Sequence, residues 1–107
     1  MWTLLFDIDG TLITAGGAGM MAMKATTRQV FDIDGCPDVP CHGRTDRAII
    51  GDLFEAIGRD LETDWKPFVE AYCANLAAAL VRCDGRVLPG VSDLLCELSD
   101  REGVQLG

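Results

Sequence analysis

The chain has 107 residues, 49% hydrophobic and 24% charged, which suits one small globular domain or a piece of one and excludes a disordered or low-complexity chain. Seventeen acidic residues face nine basic ones, a formal charge of −8, and a field of that sign repels nucleic acid and anionic membrane surfaces. No apolar run approaches the roughly 20 residues that cross a bilayer, and the opening Met1-Trp2-Thr3-Leu4-Leu5-Phe6-Asp7 lacks the basic stretch of a secretion signal, so a cytoplasmic protein without nucleic-acid or membrane partners is expected.

Residues 2–6 form a continuous apolar run that stops at Asp7, the pattern of a strand buried on both faces of a parallel sheet. A loop rich in Gly and Thr follows over 7–19. From about Ala18 to Phe31 the spacing of Met20, Met23, Thr27, Val30 and Phe31 is helical. Residues 32–44 hold two prolines, two glycines and three aspartates and read as loop. Thr45 or Asp46 then caps a second helix, whose stripe of Ile49, Ile50, Leu53, Phe54 and Ile57 stops at Gly58.

A third helix is predicted from about Trp65 to Arg82. Phe68, Tyr72, Leu76 and Leu80 recur every four residues along it, and Pro67 is tolerated in its first turn. After Pro89-Gly90 a fourth helix presents Val91, Leu94, Leu95 and Leu98, Gly103 ends it, and Val104-Gln105-Leu106-Gly107 opens another strand. Parallel strands need a helical crossover, and the fourth helix fits that role. The two strands fall short of the about three that a stable sheet needs, so the chain is expected to end where an α/β core begins.

Five cysteines in no C-x-x-C pair read as reduced, mostly buried thiols. Cys36, Cys41 and His42 suggest a metal corner, but no fourth ligand stands at a sensible spacing, so zinc is not expected and His42 reads as a loop histidine.

Chemistry concentrates in Asp7-Ile8-Asp9-Gly10-Thr11-Leu12, at the C-terminal end of the first strand, where open α/β sheets bind ligands. Asp7 and Asp9 alternate along the chain so that both can reach one site, Gly10 permits a sharp exit, and Thr11 can tie the turn down. Two such carboxylates can divide the labour, one ionised as nucleophile or ligand of a hard cation such as Mg²⁺, the other protonated as an acid. Phe31-Asp32-Ile33-Asp34-Gly35 repeats the same five residues without a preceding buried strand, and Asp32 and Asp34 read as solvated loop residues. Neither copy has the glycine position or closing Glu of an EF-hand.

The first copy, Phe6 to Leu12, resembles the first signature of the haloacid dehalogenase (HAD) superfamily of phosphohydrolases. Gly43-Arg44-Thr45-Asp46 and Leu88-Pro89-Gly90-Val91 are similar to segments of its phosphoglycolate-phosphatase-like members. The resemblance implies an α/β fold: the N-terminal fragment of a HAD-like Rossmannoid core with an inserted helical cap. Residues 1–15 would be the first core strand and catalytic loop, 16–87 the cap, and 88–107 the truncated return to the core.

It further implies a Mg²⁺-dependent phosphomonoester hydrolase acting on a small phosphorylated metabolite. Asp7 would be the nucleophile that forms an aspartyl-phosphate, and Asp9 the acid and then the base. Asp7 and the Asp9 carbonyl would hold Mg²⁺, with Thr11 and Arg44 as candidate substrate-binding residues. The family's later signatures, a Ser or Thr, a Lys and an acidic pair, find no match: beyond Gly90 there is neither Lys nor Thr, and the only lysines, Lys24 and Lys66, lie in the helical insert. The alternative is a truncated, non-catalytic product or cap fragment without activity.

Three further features carry two readings each. Gly16-Gly17-Ala18-Gly19 can cradle a phosphate at a helix start, or serve as a hinge between core and cap. Arg44 can reach over the site to hold a substrate carboxylate or phosphate, or remain solvated in a capping loop. Met20, Met21 and Met23 read as core packing rather than a binding surface.

Overall fold

Two short strands, three consecutive helices, and then a strand, a helix and a strand follow one another along the chain, giving a mixed α/β protein. The structure, a computed structural model, describes residues 1–41 and 43–107. His42, and with it the suggested metal corner, lies outside the described residues. The elements are β1 (Trp2–Leu4), β2 (Ile13–Thr14), α1 (Ala18–Phe31), α2 (Asp46–Ile57), α3 (Leu61–Arg82), β3 (Arg86–Val87), α4 (Val91–Ser99) and β4 (Val104–Leu106). They fall into two units: Met1–Ala18 with Leu80–Gly107, and Gly19–Ala79. Among the described residues no helix is long and apolar enough to cross a membrane.

The Gly19–Ala79 unit is helical. The Thr45 side chain caps α2 by accepting the Ala48 N–H at 3.2 Å, and Asp46 is the first helical residue, favourably placed against the dipole. Gly58, at φ 71°, ends the helix: the Arg59 N–H returns to the Phe54 carbonyl at 2.8 Å.

Helix α3 begins at Leu61, four residues before the predicted start, because Asp60 caps it. One Asp60 oxygen accepts the Glu62 N–H at 3.1 Å and the other accepts the Thr63 hydroxyl at 2.9 Å. Pro67 therefore sits beyond the first turn. It leaves the Thr63 carbonyl without its helical donor, but both residues are exposed, so water reaches that group.

Phe54 and Phe68, at 1% and 0% exposure, meet edge to face with centroids 5.0 Å apart. Phe31 completes the cluster at 5.4 Å from Phe54 and 5.7 Å from Phe68, and the Arg59 guanidinium lies over it at 4.7 Å. Ile49, Ile50, Leu53, Met23 and Tyr72 fill the rest. Met20 is half-buried and Met21 exposed, so of the three methionines only Met23 is core.

The buried residues of α3 are Phe68, Tyr72 and Ala79, with half-buried Asn75 between the last two, and the strict every-fourth row drifts off that side: Leu80 is 50% exposed. Four residues overshoot a full turn by about 40°, so such a row winds around the helix. Thr26 and Thr27 are fully buried and donate to the Ala22 and Met23 carbonyls at 2.7 and 2.8 Å. The Asn75 amide donates to the Thr26 hydroxyl and to Gln29 Oε1, both at 3.0 Å.

In the other unit, β1 pairs with β4 in parallel, Trp2 opposite Val104 and Leu4 opposite Leu106, with α4 in the connection as expected. Two-residue strands β2 and β3 pair antiparallel, Ile13 opposite Val87, and are too short to leave a periodic signal in the sequence. Ala18 is the only residue buried in this unit. The expected burial of residues 2–6 on both faces does not occur: Trp2 is 76% and Leu5 81% exposed, while Leu4 and Phe6 are half-buried. Among the described residues β1 has one neighbouring strand, β4. The thiols likewise depart from expectation: all five are free, Cys36, Cys41 and Cys83 half-buried, but Cys73 and Cys96 exposed on α3 and α4.

Candidate functional site

The parallel ladder carries the chain up to the candidate carboxylates. The Phe6 N–H still bonds the Gly107 carbonyl at 3.1 Å, and Asp7 follows at once. The backbone then folds back on itself. The Ile8 carbonyl accepts from the N–H groups of Thr11, Leu12 and Ile13 at 3.3, 3.0 and 3.2 Å, and the Gly10 N–H donates to the Ile13 carbonyl at 2.8 Å. Gly10 stands at φ 76°, a left-handed conformation that strains residues with a side chain. This is the sharp exit that the sequence calls for.

The turn brings Thr11 to Asp7: the hydroxyl donates to Asp7 Oδ2 at a long 3.4 Å. Asp9 lies two residues on, bridged through its backbone to Ile13. Asp7, Asp9 and Thr11 are all exposed. Among the described residues no ion pair reaches either aspartate, and no three His, Cys, Asp or Glu side chains gather as a metal site requires. Mg²⁺ takes hard oxygen donors in an octahedron and often keeps several waters, with one or two carboxylates and substrate oxygens completing the shell. Asp7 and Asp9 offer oxygen donors of the kind that ion takes.

Arg44 belongs to the Gly19–Ala79 unit, one residue before the Thr45 cap. Its Nη1 donates to Asp52 Oδ2, two turns along α2. That hydrogen bond and the Asp52 charge hold the guanidinium above its ordinary pKa despite the opposing effect of desolvation. Sequence reasoning misses Asp52; the available signal was an acid beside the apolar stripe, between Ile50 and Leu53.

The second Asp-x-Asp-Gly copy serves α1. The Asp32 N–H bonds the Arg28 carbonyl at 2.9 Å, Asp32 turns left-handed at φ 54°, and the Asp34 carboxylate lies 3.3 Å from Arg28 Nε in an exposed pair. Gly16 and Gly17 both have positive φ, 64° and 84°. A Cβ on Gly16 would meet the Asp84 backbone at 3.0 Å. No family model matches the chain, and no curated protein matches it.

Proposed function

We propose that this chain carries the phosphoryl-transfer end of a HAD-like, Mg²⁺-dependent phosphomonoester hydrolase. The β1/β4 unit is then the beginning of the Rossmannoid core, and the helical unit its inserted cap. The observation that carries this reading is the placement of Asp7 and Asp9 on a glycine turn at the C-terminal end of a strand in a parallel pair.

In the reaction an Asp7 carboxylate oxygen attacks phosphorus and the ester P–O bond breaks as Asp9 gives its proton to the leaving oxygen. Asp9, now ionised, takes a proton from water. That water oxygen attacks the aspartyl-phosphate, releasing inorganic phosphate and restoring Asp7. The Thr11 hydroxyl orients Asp7. The Asp7 carboxylate and the Asp9 carbonyl would hold Mg²⁺, which would supply charge neutralisation for the phosphoryl oxygens. Arg44 is the candidate ligand for the anionic group of a small phosphorylated metabolite, and has donors to spare beyond the one given to Asp52.

A second reading, a chain that does no chemistry by itself, is favoured by one observation: among the described residues no cation pairs with the aspartates and no third acidic ligand joins them. Electrostatic stabilisation is the main catalytic contribution in phosphoryl transfer, so their absence matters. Hydrolysis of p-nitrophenyl phosphate separates the two. Mg²⁺-dependent turnover that disappears in Asp7→Asn and falls in Asp9→Asn supports the hydrolase. Turnover equal to that of Asp7→Asn leaves the second reading for this chain.

A further inference from the structure

We draw no further inference here: the strongest candidate, the open cleft that Lys24, Arg28, Ile33, Asp34, Gly35 and Cys36 line at the C-terminal half of α1, rests on a lone half-buried cysteine beside exposed charges, of which Arg28 is already paired with Asp34, and nothing in the structure points to a ligand for it.

Discussion

The aromatic cluster of the helical unit offers the most direct energetic test. Phe68 is fully buried and touches two rings, Phe54 at 5.0 Å and Phe31 at 5.7 Å; Phe54 also touches two, the second being Phe31 at 5.4 Å. Truncation of a buried Phe to Ala costs about 3–5 kcal/mol, which is the whole stability of about 3–5 kcal/mol that a core this small supplies. Phe68→Ala is therefore expected to unfold the unit and yield no measurable midpoint. The informative substitution is Phe→Leu, which keeps most of the apolar volume and removes the ring contacts. At about 0.5–1.5 kcal/mol per aromatic pair, loss of two pairs predicts roughly 1–3 kcal/mol for either Phe54→Leu or Phe68→Leu.

The double variant loses the shared Phe54–Phe68 contact only once. It should thus be less destabilised than the sum of the two by about 0.5–1.5 kcal/mol. Urea unfolding followed by far-UV circular dichroism, at unchanged m, measures all three values. Additive effects within a few tenths of a kcal/mol, or single variants with unshifted midpoints, would show that the rings do not form the edge-to-face contact on which the estimate rests.

Three further outcomes are expected. Asn75→Ala removes the donor to Thr26 and Gln29 but leaves the Thr26 hydroxyl bonded to Ala22, so no buried donor is orphaned and the urea midpoint should report a loss of about 1 kcal/mol. Thr45→Ala removes the acceptor for the Ala48 N–H and should cost about 1 kcal/mol in the same assay, with Thr45→Ser close to wild type. Gly16→Ala and Gly17→Ala both place a side chain at positive φ, at roughly 1–2 kcal/mol each. Only Gly16 has the Asp84 backbone at 3.0 Å, whereas Gly17 has open space, so thermal unfolding should rank Gly16→Ala clearly below Gly17→Ala.

The parts legible in the sequence are those whose signal is local. Helix α2 lies where Thr45, its five-residue apolar stripe and Gly58 place it, since cap, stripe and stop agree. Gly90 before Val91 fixes the start of α4, and the parallel pairing of β4 with β1 follows from that helix as crossover. Other features depended on information a single strand or helix does not carry. The early start of α3 rests on Asp60 acting as a cap, a signal that an apolar stripe beginning at Phe68 obscures. Asn75 inside the helical unit looks like a break in the α3 stripe until Thr26 and Gln29 on α1 supply its partners. The overestimate of burial at residues 2–6 has a related cause: an apolar run reports that a strand is fit for burial, whereas burial itself is decided by what lies alongside. At the candidate site the motif gave the Gly10 turn and the Asp7–Thr11 proximity, because both arise within six residues. The Arg44–Asp52 pair spans two turns and was out of reach of motif reading.

The distribution of burial bears on the candidate site. The helical unit holds nearly all of the buried side chains, whereas the aspartates lie on the unit in which only Ala18 is buried. Phosphoryl transfer depends on positioning far more than on covalent chemistry from the protein, and reacting groups must be held within about 0.5 Å of the productive geometry. A loop at the end of a two-stranded sheet, with Asp7, the nucleophile of the proposed reaction, tied by one 3.4 Å hydrogen bond, does not meet that requirement. Rigidity at Asp7 has to come from its strand, through Phe6 and the ladder to Gly107.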